Sequence, residues 1–461
     1  MALAEPPLPH RASVPPAHRD ANVLRWLTAY TASLIGDSVY FAALAWSAQR
    51  SAGPTEVGLV MAAGAAPRAL LMLGGGVLAD RLDPRRVILG SDAVRCLLIL
   101  AVAAAIALTA PALWLLVAVA LVFGAVDALF VPAVGALPPR ITSPDQLARV
   151  TGLRSLSMRL GQIAGPPLGG LAMGLGGPAA AFATAGLLFA FSLPLLLSVR
   201  ISPLEAPAGD LPSNGAPSNG APSNGAPNNR TSGTARADLL DGLRYLRRHR
   251  LIGPLVVAGA VCELGLTGTL NVGMVLLNAE RGWGPSGYGW IVGCFGAGAA
   301  ASAALLAVAG RLPRAGLTMA CTLLVGSVGA AAMALVPQLW TAAVLASLVG
   351  LSAGVFGSLD SALIQTSADP AYLGRVTSVT MLTMVGLAPL SYPLVGAAIG
   401  AWGSAPVFVG CGALSCLGAA LALASPAVRQ AELPRAEPPR AAARRTSSTG
   451  RGRRPGSPVT R

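Results

Sequence analysis

Several ionisable side chains stand inside long apolar runs, where a charge is costly and therefore informative. The acids are Asp37, Asp127, Glu263 and Asp360, and the bases are Arg68, Arg95, Arg154 and Arg159. Carboxylates and guanidiniums at such depth build the proton relays and substrate paths of pumps and transporters. Ion pairs that only hold helices together, such as Asp37 with Arg68 or Asp127 with Arg159, are the plainer account of any single member. Taken as a set, these residues point to a polar pathway. Other chemistries find little support. The histidines His10, His18 and His249 lie outside the apolar runs, and no nucleophile stands near a base. The cysteines Cys96, Cys262, Cys294, Cys321, Cys411 and Cys416 lack metal-ligand spacing and read as buried reduced thiols. No enzyme activity, metal or cofactor is expected.

The elements that must position these charges are membrane helices. Apolar residues make up 54% of the chain and charged ones 11%, against about 25% charged in an average soluble domain. Runs long enough to span, about 20 residues each, fall at 22–48, 56–79, 87–109, 112–137, 147–172, 177–199, 251–278, 286–309, 316–336, 339–364, 373–400 and 404–425. This predicts an all-α membrane protein with 12 transmembrane helices in two six-helix halves. The acids then belong to helices 1, 4, 7 and 10, while helices 6, 9 and 12 carry no charge and can face lipid.

Arginine placement sets the orientation. Every basic residue apart from histidine is arginine, which with the Ala, Gly and Pro content reads as coding bias. With the N-terminus cytosolic, Arg81, Arg85, Arg86, Arg140, Arg149, Arg200, Arg311, Arg314 and Arg375 lie inside, and only Arg50 and Arg281 outside. Positive charge stays inside, so both termini are expected in the cytosol. Trp46, Trp114, Trp283, Trp290, Trp340 and Trp402 then fall at outer helix ends, as an interfacial aromatic belt requires.

The stretch Leu147–Gly170 carries Gly152, Gly161, Gly165, Pro166, Gly169 and Gly170. Glycine and proline weaken a soluble helix, but in lipid small residues let helix backbones approach closely. The expectation is a helix bent at Gly165-Pro166 and pressed against helix 8, sealing the outer side. A shift of 226 residues lays its LARVT over Leu373-Gly-Arg-Val-Thr377, Pro167 over Pro393 and Gly170 over Gly396, so the halves are related copies.

Division along the chain follows composition: a cytosolic tail at 1–21, a first half at 22–200, a linker at 201–237, a second half at 238–425 and a basic tail at 426–461. The linker repeats SNGAP between Ser213 and Pro227 and is read as a flexible tether. Asp238–Arg250 can form an amphipathic helix on the inner membrane face. The basic tail suits anionic lipid headgroups, and no fold accompanies it that would bind nucleic acid. Between helices 2 and 3 lies Gly74-Gly-Gly-Val-Leu-Ala-Asp-Arg-Leu-Asp-Pro-Arg-Arg86. There Gly76, Asp80, Arg81, Arg85 and Arg86 form a candidate cytosolic gate loop, with Asp80 placed to cap another helix.

The six-plus-six layout, the GGGVLADRLDPRR loop and the helix-5 glycines together resemble the major facilitator superfamily of secondary transporters, over about residues 22–425. The six helix-5 positions match the motif of its proton-antiporting exporters. Gly36-Asp37, Arg25 and DRLDPRR most resemble the branch of macrolide exporters and the enterobactin siderophore exporter. The resemblance implies a cavity lined by helices 1, 4, 7 and 10, a seam of helices 2, 5, 8 and 11, and contact of Asp80 with Leu373-Gly374. It departs from the family at Asp83, where glycine is usual, at the acid-free second-half loop Gly310–Arg314, and in helix 4, where the usual arginine is absent. The implied protein is a drug:proton antiporter of a bacterial cytoplasmic membrane. It would export a small amphipathic molecule (a drug, antibiotic or siderophore-like metabolite) as a monomer, with membrane lipid and protons as its other partners. The alternatives are a proton-coupled importer and a non-transporting sensor or docking protein.

Overall fold

The structure, a computed structural model, describes residues 19–74, 83–109, 112–200, 235–309, 314–369 and 372–432. Residues 1–18, the SNGAP linker and the basic tail from 433 lie outside the described residues, as do Gly76, Asp80 and Arg81 of the gate loop.

Helices account for the regular structure of the described residues. The first half comprises α1 (Ala21–Ser51), α2 (Pro54–Gly74), α3 (Pro84–Leu108), α4 (Leu113–Ala136), α5 (147–175) and α6 (178–197). The second half comprises α7 (Ile252–Glu280), α8 (Gly284–Ala309), α9 (Ala315–Met333), α10 (Leu339–Ser367), α11 (Leu373–Trp402) and α12 (Ser404–Ala424). Nine helical stretches among the described residues are long and apolar enough to cross a membrane. One of these, Leu147–Leu197, holds both α5 and α6. Its 51 residues exceed twice the span length of about 20, and the backbone leaves helical geometry at Gly176 and Gly177, where φ is +67° at Gly177. A left-handed φ there is open to glycine without steric cost. The break falls where the expected spans 147–172 and 177–199 meet, and helical dihedrals continue through Pro166 and Pro167.

Local chemistry sets the helix ends. Asp20 caps α1, accepting from Asn22 N at 2.8 Å, and Asn22 exchanges two hydrogen bonds with the Arg200 backbone just beyond α6. Asp83 caps α3 and Pro84 fills its first turn, so α3 begins three residues before the predicted 87. A proline suits this position because its missing N–H had no helical partner to find. Arg85 donates to the Leu197 carbonyl at 2.7 Å, while Arg86 and Arg140 both approach Asp83.

Within the first half α1 packs along α5, α2 against α4, and α3 against α6; in the second, α7 packs on α12, α8 on α10, and α9 on both α10 and α12. The halves meet along α5–α8 and α2–α11. Both seams are glycine crossings. A Cβ on Gly170 would stand 2.7 Å from the Pro285 carbonyl oxygen and 3.1 Å from Gly289 Cα. A Cβ on Gly58 would stand 2.5 Å from the Tyr392 carbonyl oxygen, and Gly396 faces Gly58 in return. The repeat that relates Gly170 to Gly396 is thus a repeat of the seam itself. Gly161, Gly165 and Gly169 do not face α8 as expected. They lie against Leu34, Ser38 and Val39 of α1, inside the first half, while Gly152 has open space beside it.

One apolar core runs through both halves at the end where α1 finishes and α2 begins. It joins Tyr40, Leu44 and Val57 to Val272, Leu276 and Ile399. At the opposite end the halves keep separate cores, one around Trp26, Phe130 and Val150, another around Leu255, Met319 and Leu363. Trp46 is buried at the shared end beside Gly170 and Tyr288, whereas Trp114, Trp290, Trp340 and Trp402 are exposed. The helix Ala235–Arg248 docks on the first turns of α11, with Tyr245 stacked on Tyr372 and Leu246 buried among Val376 and Val379. All six cysteines are free, but only Cys96 and Cys262 are buried.

Candidate functional site

Arg95 stands at the centre of the first half. It is fully buried, and the side of α3 that carries it also carries Asp92 one turn earlier. Its Nη2 donates to Asp127 Oδ1 of α4 at 2.6 Å. Nη1 stands 3.5 Å from Asp37 Oδ1 of α1 and 3.6 Å from Asp92 Oδ1. The guanidinium also lies over the faces of Phe130 and Phe123, at 4.2 and 5.1 Å from the ring centres. Removed from water, a guanidinium needs such charged and aromatic compensation.

Each acid is held differently. Asp127 is gripped from both sides, since Arg68 Nε of α2 lies 3.1 Å from its Oδ2. Asp92 receives two hydroxyl donors at 2.6 Å, from Ser33 of α1 and Ser192 of α6, and is wholly buried. Asp37 has Arg95 as its only ion-pair partner among the described residues, and its side chain is 15% exposed. The cluster therefore contains Asp37, Asp92 and Asp127 against Arg68 and Arg95, one carboxylate in excess. It runs from partly exposed Arg68 to the fully buried interior.

The expected pairs Asp37–Arg68 and Asp127–Arg159 do not form: Arg68 goes to Asp127, and Asp37 goes to Arg95. Arg159 contacts Gln162 on its own helix, and Arg154 lies beside Tyr30, so neither joins the cluster. Asp92, Ser33 and Ser192 were not singled out in the sequence. The available signal was the three-residue spacing from Asp92 to Arg95, which puts both on one helical face.

In the second half, Glu263 of α7 accepts a hydrogen bond from Thr267 and has no ion pair among the described residues. It borders a cavity of about 320 Å³ enclosed by α7, α8, α9 and α10. Asp360 lies beyond Phe356 on α10 and does not line that cavity. No grouping of His, Cys, Asp and Glu suited to a metal ion occurs among the described residues.

A family model described as the Major Facilitator Superfamily matches residues 26–272 and 256–455. Two curated relatives, each named enterobactin exporter EntS, come from Shigella boydii serotype 18 and Escherichia coli O1:K1 / APEC. Both are 25% identical over 307 residues, covering 66% of this chain and 67% of the relative. Among solved structures, a bacterial homolog of the human lysosomal transporter Spinster, inward-facing and occupied, superposes with a TM-score of 0.67 at 15% identity, over 90% of this chain and 97% of that one. The nucleoside transporter NupG superposes with a TM-score of 0.63 at 11% identity, over 88% and 98%. The two solved structures bear on the fold alone.

Proposed function

Because the chain belongs to the Major Facilitator Superfamily, we propose that it is a proton-coupled exporter that carries a small amphipathic molecule out of the cytosol by alternating access. The carrying observation is the Arg95 cluster, in which buried carboxylates outnumber guanidiniums by one. Uptake of one proton makes such a cluster neutral, and its release restores the excess charge. A buried net charge is costly and a neutral cluster is not, so the two protonation states favour different exposures of the first half. Asp37 is the proton carrier in this scheme. It has the fewest compensating partners and the most exposed side chain of the three acids.

All twelve helices cross the membrane, with both termini in the cytosol. This orientation rests on the arginine asymmetry. The shared core near Tyr40, Val57 and Val272 is then at the outer face and the separated cores at the cytosolic face, so the halves part on the cytosolic side. Substrate enters from the cytosol, the halves rock about the glycine crossings, and an inward proton resets the carrier. The exporter relatives support the outward direction. The protein acts as a monomer in a bacterial cytoplasmic membrane.

The test is purified protein in liposomes with an imposed pH gradient, screened with amphipathic drugs and siderophores. Substrate addition should release protons from the loaded side, and collapsing the gradient should stop uphill movement. Uphill transport that survives an uncoupler would overturn proton coupling.

A further inference from the structure

The internal repeat makes the two halves comparable residue by residue, and the comparison exposes a difference in charge. A shift of 226 residues carries Leu113-Trp114 of α4 onto Leu339-Trp340 of α10, while Gly36 of α1 and Gly265 of α7 take equivalent places against α6 and α12, which puts Glu263 about one turn before the counterpart of Asp37. The same shift also carries Gly124 onto Gly350. Both of these glycines press on the backbone of a neighbouring helix at the same place, Gly64 of α2 in one half and Phe295 of α8 in the other. The 226-residue register is therefore structural for α4 and α10, whereas Gly64 of α2 and Phe295 of α8 stand 231 residues apart.

In that register Asp127 falls on Ala353. The helix matching α3, which carries Asp92 and Arg95, is α9, and α9 has no charged residue between Ala315 and Met333. Where the first half packs the Arg95 guanidinium among Asp37, Asp127, Phe123 and Phe130, the second half has the cavity of about 320 Å³. Glu263 stands on its wall with Thr267 and Asn271, and Phe295, Leu323 and Phe356 supply apolar surface. Ala353 lines the cavity and is exposed, which marks the mouth. The backbone of α7 forms a π-helical turn at Thr269–Gly273, beside these polar groups. Such turns are frequent at functional sites.

We propose that the second half takes from its substrate the cation that the first half supplies from Arg95: Glu263 is the anionic anchor of a site for a small lipophilic cation, bound inside the α7–α10 cavity. This rests on the transporter reading and names the substrate class. The volume lies at the lower end of ligand pockets, about 300–1,000 Å³, so the ligand is a compact monocation with an apolar body. Thr267 holds the carboxylate in place, and the aromatic walls accept both the cation and its rings.

The test is equilibrium binding to the purified full-length protein in lipid nanodiscs, with no pH gradient, so its outcome does not depend on proton coupling. The probes are radiolabelled methyltriphenylphosphonium and its neutral analogue of like shape, triphenylphosphine oxide. Wild-type protein should bind the cation saturably, one per chain, and at least tenfold more tightly than the neutral analogue. Glu263→Gln should weaken cation binding at least tenfold and leave the neutral analogue within twofold. Ala353→Arg, at the exposed mouth, should abolish cation binding by supplying a resident guanidinium. Thermal midpoints near wild type would certify that both variants are folded. Equal binding of cation and neutral analogue by the wild type overturns the proposal without any variant, as does the absence of saturable cation binding. So does Glu263→Gln binding the cation as the wild type does. Gradient-driven transport of some other substrate alongside such a result would leave the exporter reading standing and remove only this site.

Discussion

Arg95 Nη2 stands 2.6 Å from Asp127 Oδ1, and the same guanidinium reaches Asp37 and Asp92 through Nη1. One arginine thus ties α1, α3 and α4 together in the interior of the first half. Replacing Arg95 with Met keeps much of the volume and leaves Asp92 with two hydroxyl donors and Asp37 with no ion pair. Breaking a buried pair by removing one partner costs about 3–5 kcal/mol. Arg95→Met should therefore lower the thermal midpoint and the monodisperse yield. Adding Asp92→Asn should recover part of the loss by removing one stranded charge. A single variant as stable as the wild type would show that the cluster does not hold this half together.

Asp37 and Asp127 should respond differently to loss of titration. Asp37→Asn keeps the shape and leaves Arg95 paired to Asp92 and Asp127. Uphill export driven by a pH gradient should disappear, while downhill substrate exchange continues at a rate within a few-fold of wild type. Asp127→Asn instead strips the acid shared by Arg68 and Arg95, so its main effect should be on folded yield. Normal pumping by Asp37→Asn in reconstituted vesicles would move the proton to another carboxylate.

How much of this was legible beforehand depended on depth and azimuth. Depth is readable from the chain: an ionisable residue in the middle of an apolar run must be compensated, and that reasoning found Asp37, Arg68, Arg95 and Asp127. Azimuth is not. Which faces meet is decided by packing between helices far apart in sequence, so Arg68, expected on Asp37, stands on Asp127, and Arg95 takes Asp37. Arg154 and Arg159 joined the expected pathway although neither reaches the cluster. Asp92 stands one turn from Arg95, and its role is set by Ser33 and Ser192, which α1 and α6 bring to it from far along the chain. The helix-5 glycines show the same limit. Their spacing announced close packing, and only the packed structure separates those facing α1 from Gly170, which faces α8.

The orientation yields a direct check. Charged loops fall on the side assigned to the cytosol, leaving Arg50 and Arg281 on the other. A protease-cleavable tag inside the SNGAP repeats, residues 213–227, should be cut in inside-out vesicles and spared in intact cells. Cutting by external protease would reverse the topology and exchange the open and closed ends.

The glycine seam separates two roles that one helix combines. Gly165 lies against Ser38 within the first half, and Gly170 lies against Pro285 and Gly289 across the seam. A packed contact cannot absorb added methylenes without displacement, typically at about 1–3 kcal/mol. At Gly165 the displacement is between helices that stay together throughout transport, so Gly165→Leu should reduce folded protein. At Gly170 the Cβ alone would approach the Pro285 carbonyl oxygen to 2.7 Å, and the relief is for the halves to part at this end. Gly170→Leu should thus fold with near-normal yield and favour the state open at the end that carries Pro285. Gly396→Leu, its counterpart against Gly58 of α2, should do the same. The measurement is maleimide labelling of a single reporter cysteine at Ser286 on a cysteine-free background. Labelling should rise at least several-fold in Gly170→Leu and Gly396→Leu, with net export lost. In Gly165→Leu the labelling per folded molecule should match wild type. Unchanged labelling and full transport in both seam variants would show that the crossings do not close this end of the carrier.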